Sequence, residues 1–379
     1  MVAKSILLSY VSDKGRLPNK TISSVNVLIV GDKGTNKTTF SRRLAELTDA
    51  VYVSATNMTR GGGLVGIVEQ KENWGGWVYR PGALLSAKDT LLIIDEFDKI
   101  DDDDAFSSLL NVMSIGRFDY HKASINIDME LFTSIVALMN PTNGVLSDFV
   151  DVFKQIKVKR QEVLDRFALI WFVRSATKRE LERITDKLVD VITLGQNTVY
   201  TDEELVRAYL FTARSIRPRW TKEANEELKK SSSEVIELLS NASESVSFSY
   251  GTRVITHLRN IATAYAKLLL DDQVKAKHVK YALNIFLDAV KSWGVDLPEF
   301  GREIVLDMDK ESRDALVYAK NIVKTLLEKN IDVIPKEKFK ELARKYAKTE
   351  EDIKRIVAVA KKFKLVEELN DGSLLIKGS

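Results

Sequence analysis

The 379 residues predict an α/β fold: a parallel sheet core, then an α-helical lid-like region, then a small C-terminal unit of helices and a hairpin. Three observations carry this. Val27 to Val30 is an apolar, β-branched run that breaks at the glycine turn Gly31 to Gly34 and passes into a helix at Lys37-Thr38. Thr90 to Ile94 is a second core-strand run, and it ends in the carboxylate pair Asp95 and Glu96. From Thr177 onward the apolar spacing becomes helical.

Bulk composition narrows the possibilities. A chain of this length makes two or three domains, and 45% apolar residues are ample for their cores. The net charge of +3 implies no global polyanion partner, so any nucleic-acid surface must be local. Cysteine is absent, which excludes disulfides, zinc–thiolate sites and thiol nucleophiles. His121, His257 and His278 are dispersed and make no metal cluster. No apolar run approaches the roughly 20 residues that span a bilayer, and the N-terminus has no signal-peptide pattern. A soluble, cytoplasmic protein is expected.

Ile6 to Val11 reads as a short helix beside the first strand, and Val27 to Val30 as a strand buried on both faces. The glycine turn lets backbone N–H groups face phosphate oxygens, and a helix from Thr38 to Leu47 adds its positive dipole end. Gly31, Gly34, Thr35, Asn36, Lys37, Thr38 and Thr39 are the candidate nucleotide contacts. Lys37 would reach the outer phosphates, and the Thr38 hydroxyl would sit on Mg²⁺. The pattern G-x-x-x-x-G-K-[ST] wants glycine where this chain has Asn36, so the stretch alone also admits a turn that merely precedes Lys-Thr.

Ala50 to Val53 reads as a second strand and Arg60 to Gly63 as a joint. Leu64 to Leu85 has two β-like arms around a polar turn, which fits either an inserted hairpin or a surface loop. Asp95 and Glu96 would lie beside the phosphate loop at the carboxyl end of their strand. Asp95 would hold Mg²⁺ through water, and Glu96 would polarise the attacking water. Asp101 to Asp104 caps the helix Phe106 to Met113. Arg117 to Asp128 alternates around a tip of His121 to Ser124; Lys122 there is either a nucleic-acid contact or simply solvated. Ser134 to Met139 is a further strand, and Asn140 at its end could orient the lytic water. Arg166 precedes the strand Ala168 to Val173; it either pairs locally or acts as an arginine finger on a neighbouring subunit's nucleotide.

Helices then follow at Lys178 to Leu194, Asp202 to Ser215, Thr221 to Leu239, Thr252 to Leu270 and Lys277 to Val290, with Arg214 and Arg253 among them. Residues 291–308, with Trp293, Pro298 and Gly301, read as a linker. Beyond it come helices Glu311 to Lys329, Lys336 to Ala347 and Glu350 to Lys364, the last capped by Thr349 and Asp352. A hairpin of Leu365 to Leu369 and Ser373 to Lys377 closes about Asn370-Asp371-Gly372. Three helices and a terminal hairpin make a winged helix. Lys354, Arg355, Lys361 and Lys362 face out from its third helix, equally suited to a duplex backbone, a protein or solvent.

Together these motifs resemble one family, the minichromosome maintenance (MCM) helicases within the AAA+ ATPases. Ile94-Asp-Glu-Phe-Asp-Lys99 matches the family's Walker B motif residue for residue. Gly31 to Thr38 resembles its variant Walker A, in which a small residue precedes the lysine. Met139 to Gly144 is similar to sensor 1, Leu164 to Ile170 to the arginine-finger segment, and Thr252-Arg253 to the sensor 2 arginine. Gly63 to Leu85 resembles the helix-2 insert, Lys122 to Ile125 the tip of the pre-sensor 1 hairpin, and Tyr209 to Leu228 the lid. The resemblance implies four parts: an AAA+ core at 1–176 with both hairpins, a lid at 177–290, a linker at 291–308 and a winged helix at 309–379.

It also implies an ATP- and Mg²⁺-dependent ring, a hexamer, that moves along single- or double-stranded DNA in replication beside a primase, polymerase or loader. Lys37, Thr38, Asp95, Glu96 and Asn140 would serve one subunit's nucleotide, Arg166 and Arg253 would complete the neighbour's, and Lys122 would touch single-stranded DNA. The chain departs from the family pattern at Asp165 (serine), Ala168 (aspartate), Ile115-Gly116 (two glutamines) and Thr256 (glutamate). These changes bear on hydrolysis and ring loading. The family's N-terminal oligonucleotide-binding half has no counterpart in this sequence. Either the chain is a compact version of the family or it is a piece that lacks that half; the initial Met and the short helix before the first strand slightly favour the former. Alternatives are an AAA+ remodeller of protein complexes, or a DNA-binding ring subunit with little ATPase activity.

Overall fold

Five apolar runs pair in parallel to make the central sheet. A computed structural model of the protein describes residues 1–35, 37–57, 62–71, 76–122, 124–147, 152–175, 202–241, 250–294, 315, 318–319, 321–323, 325–326, 331, 333–347, 349–362, 365–369 and 372–376. In chain order come helix α1 (Val2–Val11), strand β1 (Val27–Gly31), helix α2 (Lys37–Leu47), strand β2 (Val51–Ser54) and a single turn, α3 (Gly62–Val65). A hairpin of β3 (Gly66–Lys71) and β4 (Gly76–Pro81) follows, then α4 (Ala83–Ser86), β5 (Leu91–Asp95) and α5 (Asp103–Ile115). A second hairpin, β6 (Arg117–Lys122) and β7 (Ile125–Glu130), leads into β8 (Ser134–Met139) and β9 (Leu169–Val173).

The sheet order is β2-β5-β8-β1-β9, with every pair parallel. All residues of β1 and β8 are buried, which explains why both read as unbroken apolar runs. Parallel pairing brings the carboxyl ends of β1, β5 and β8 to one edge, where open α/β sheets bind ligands. Helix α5 starts at Asp102, whose side chain accepts from Ala105 N at 2.8 Å, and stops at Gly116 in the left-handed region. Helix α1 lies against the sheet as expected: Trp171 Nε1 donates to Ser5 Oγ at 2.9 Å, and Ser134 Oγ to the Ser9 carbonyl at 2.7 Å.

The lid contains α6 (Glu203–Ser215), β10 (Arg219–Trp220), α7 (Lys222–Asn241), α8 (Arg253–Leu268), β11 (Gln273–Val274) and α9 (Ala276–Lys291). The parallel β10–β11 pair ties the α6–α7 connection to the α8–α9 connection. The helix expected at Lys178 to Leu194 lies outside the described residues. The first residues of the linker expected at 291–308 belong to the first unit. Helix α9 includes Lys291, and Trp293 is buried, its Nε1 donating to the Ile170 carbonyl at 2.8 Å and its ring edge-on to Phe153. An indole that can cover itself with a core does not stay in solvent.

Residues from Asp296 onward form a second unit. Its described elements are β12 (Val333–Pro335), α10 (Lys336–Ala343), α11 (Glu350–Lys362), β13 (Val366–Glu368) and β14 (Ser373–Ile376), with antiparallel strand order β12-β14-β13. Only scattered positions of the expected helix Glu311 to Lys329 are described; Ala319 and Ile322 among them join Phe339, Ile356 and Leu374 in one core. Thr349 and Asp352 cap α11 reciprocally, at 2.9 and 3.2 Å. Lys361, read as part of an outward basic face, pairs with Glu368 on the hairpin, as does Lys336.

Candidate nucleotide site

The turn after β1 is shaped by glycine. Gly34 has φ +87°, and a Cβ on Gly31 would meet Thr35 Oγ1 at 2.9 Å and the Val173 carbonyl at 3.2 Å. Lys37, the first residue of α2, folds back over this turn. Its Nζ donates to the carbonyls of Gly31 (2.8 Å) and Asp32 (3.1 Å) and to Asn140 Oδ1 at the end of β8 (2.9 Å). Burial lowers the pKa of its ammonium, against the opposing pull of Asp95 and Asp32. Thr35 Oγ1 donates to the Asp32 carbonyl, and Thr39 follows in the first turn of α2. Asn36 lies outside the described residues.

Asp32 was not singled out in the sequence, yet it ties the site together. Its buried carboxylate accepts from Leu146 N at 2.8 Å and Ser175 N at 2.7 Å, joining the phosphate loop to the segments that follow β8 and β9. No local pattern marks such a residue, because both partners are remote in the chain.

The carboxylates after β5 face β2 and α2. Thr38 Oγ1 donates to Asp95 Oδ2 at 2.8 Å, and Tyr52 OH donates to the same oxygen at 2.6 Å. Burial first, and Asp95 second, push the Tyr52 phenol up in pKa. Glu96 sits at φ +56°, a strained value for a non-glycine residue. Its Oε2 accepts from Ser54 Oγ at 2.5 Å and from Thr56 Oγ1. Those two hydroxyls hold the Glu96 carboxyl below the usual range. Neighbouring hydroxyl and carboxylate oxygens at Thr38 and Asp95 are the hard donors Mg²⁺ takes. The α2 N-terminus and the glycine turn suit a polyphosphate, so this edge fits Mg–nucleotide.

Arg166 and Arg253 are not brought to this edge. The Arg166 carbonyl accepts from Asn26 Nδ2 at 3.2 Å, at the amino end of β1. From there to Gly31 is about 16 Å of extended strand. The Arg166 guanidinium bonds Asp165 Oδ1 at 3.0 Å, the Glu162 carbonyl and Ser114 Oγ. Arg253, which opens α8, pairs through Nε with the other oxygen of Asp165 at 3.2 Å. The same helix is fixed at this end by Asn260, whose Nδ2 donates to the Ile22 carbonyl at 2.9 Å. His257 Nε2 lies 2.9 Å from the Asp165 carbonyl and must carry the proton it donates; burial brings the ring's pKa down to about 4.

Lys122 is exposed at the end of β6. The Tyr120 ring on the same strand lies 5.1 Å from Tyr79 of β4, so the two hairpins touch. Among the described residues no cluster of metal-ligating side chains stands elsewhere, and no helix is long and apolar enough to cross a membrane.

A parallel sheet with a phosphate loop after β1, a carboxylate pair after β5 and a helical lid define an AAA+ P-loop ATPase domain. Residues 1–192 match the MCM P-loop domain and residues 204–290 the MCM AAA-lid domain. The chain belongs to the MCM family. It is 28% identical to an uncharacterized MCM-type protein of Methanocaldococcus jannaschii, over 96% of this chain and 49% of that one. A second MCM-type protein of that organism is 26% identical, over 98% and 55% respectively. The maternal DNA replication licensing factor mcm6 of Xenopus tropicalis is 26% identical over 73% of this chain and 33% of its own length. The chain thus spans about half the length of the archaeal relatives.

Proposed function

We propose that the chain is the motor of an MCM-type DNA helicase: an intracellular, ring-forming ATPase, hexameric in its working form, that moves along DNA during replication. The reading is carried by one observation, the division of charge along the sheet. Lys37, Thr38, Asp95 and Glu96 stand at its carboxyl end, while Arg166 and Arg253 stand at its amino end. Arginine side chains cannot cover about 16 Å of strand, so these two serve a nucleotide only on an adjoining protomer.

In that arrangement Lys37 draws the outer phosphates into the loop, and Thr38 and Asp95 hold Mg²⁺, which neutralises charge on the phosphate oxygens. Glu96 leaves Ser54 and Thr56 to take a proton from the water that Asn140 orients. The water oxygen bonds the γ-phosphorus as the bond to the β–γ bridging oxygen breaks, and ADP leaves. The neighbour's Arg166 offsets charge in the transition state, and its Arg253 assists. Contact between Tyr79 and Tyr120 lets both hairpins respond together. Lys122 then grips DNA phosphates without reading sequence, so the grip weakens with salt.

Likeness to a DNA replication licensing factor, mcm6 of Xenopus tropicalis, supports the setting, where a primase, polymerase or loader is the expected partner. The second unit is read as a winged helix whose basic face is smaller than expected, since Lys361 is neutralised by Glu368. The deciding experiment is ATP turnover with and without single-stranded DNA for wild type, Glu96→Gln, Arg166→Ala and Lys122→Ala. Arg166→Ala should lose on the order of 10³-fold, and Lys122→Ala should lose only the DNA stimulation. Equal turnover by wild type and Glu96→Gln would sink the motor reading.

A further inference from the structure

Asp165 receives two arginines from different parts of the fold, one on each carboxylate oxygen. Arg166 comes from the segment entering β9 and binds Oδ1 at 3.0 Å; Arg253 comes from the first turn of α8 and binds Oδ2 at 3.2 Å. We infer that Asp165 is a positioning residue that presents Arg166 and Arg253 to the neighbouring subunit as one fixed pair. This rests on the proposed action of both arginines across the subunit boundary.

Two guanidinium groups meant for one triphosphate must sit close together, and like charges at short range repel. A half-buried carboxylate between them offsets that repulsion and sets their separation. The residue is itself held from two sides. Its side chain is bound by both arginines, and its backbone carbonyl is bound by His257, one turn along α8 from Arg253. The core segment and the lid helix are therefore joined at one residue, so a lid that shifts acts on the arginine pair through Asp165. The contact leaves room for a second anion: Arg253 binds Asp165 through Nε and keeps 42% of its side chain exposed. A neutral serine, the residue the family pattern has here, carries no charge to offset the repulsion between two cations.

The test uses the full chain with Mg–ATP and single-stranded DNA, and measures kcat, KM and melting temperature. Variants are Asp165→Asn, Asp165→Ser, Asp165→Glu, Arg166→Ala and Arg253→Ala, with Arg253→Ala also made in the Asp165→Asn background. Displaced arginines should lower kcat of Asp165→Asn and Asp165→Ser roughly 10- to 100-fold. KM for ATP should stay unchanged, because the phosphate loop is untouched. Asp165→Glu should recover part of the rate. Arg253→Ala should cost several-fold less once Asp165 is Asn, because the pair is already uncoupled.

If Asp165→Asn or Asp165→Ser folds and turns over at the wild-type rate while Arg166→Ala is dead, the positioning role is wrong and the ring mechanism stands. If Arg166→Ala retains full turnover, the ring mechanism falls and the positioning role falls with it.

Discussion

Lys37 donates a hydrogen bond to Asn140 Oδ1 at 2.9 Å, closing the phosphate loop after β1 onto the end of β8. The remaining donors of the ammonium go to carbonyls of its own loop. Incoming phosphates compete for those carbonyl-directed protons, whereas Asn140 lies at the end of the neighbouring strand β8 and stays. The two residues therefore share a contact but not a task.

Their variants should separate binding from turnover. Lys37→Ala removes a partly buried charged donor and should weaken nucleotide affinity by about 2 to 5 kcal/mol. Asn140→Ala leaves the charge in place, so affinity should fall by less than about tenfold while turnover drops on the order of 10²-fold. Titration with a fluorescent nucleotide and a steady-state ATPase assay read the two effects. Matching affinity losses in both variants would show that Asn140 acts only by holding Lys37.

The hydroxyls on Glu96 make a pH prediction. Ser54 and Thr56 donate to the ionised carboxylate and so lower its pKa. Ser54→Ala with Thr56→Val removes both donors, and the pKa should rise toward its ordinary value. If Glu96 is the base, the acid limb of the kcat/KM profile must move to higher pH in the double variant. An unmoved limb would assign that limb to another group.

The sheet could be read in advance where strands are buried on both faces. β1, β5 and β8 each appear as an apolar run, and the chemistry sits at their carboxyl ends. The partners of that chemistry could not be read, because they are set by strand order. β2 lies beside β5, which brings Tyr52 to Asp95 and Ser54 to Glu96, and no periodicity within β2 announces its neighbour. Asp165 was visible as an odd residue in a familiar segment. Its pairing with Arg166 and with Arg253, the latter 88 positions away, was not. β10 and β11 are two residues each, too short to leave a pattern.

Trp293 shows how composition misleads at a boundary. Pro298 and Gly301 nearby suggest a linker, but the indole is buried beside Phe153 and Tyr250 and bonds the β9 backbone. Trp293→Ala should therefore destabilise the first unit by about 3 to 5 kcal/mol, seen as a lower denaturation midpoint. A midpoint within experimental error of wild type would return the residue to the linker.

His257 should make the same unit sensitive to acid. Burial depresses its pKa to about 4 in the folded chain, whereas the unfolded chain titrates near the ordinary value of 6.5. Between those values the unfolded state holds a proton that the folded state refuses, so stability rises with pH across the window. Lowering the pH from 7 through 4 should remove about 3 kcal/mol through this residue alone. The loss is complete once both states are protonated. His257→Gln keeps a donor for the Asp165 carbonyl but cannot titrate. Its stability at neutral pH should fall modestly, and its denaturation midpoint should change less between pH 7 and pH 4 than that of wild type. Parallel slopes in the two proteins would mean that the ring is already open to water, and that Asp165 is held by its arginines alone.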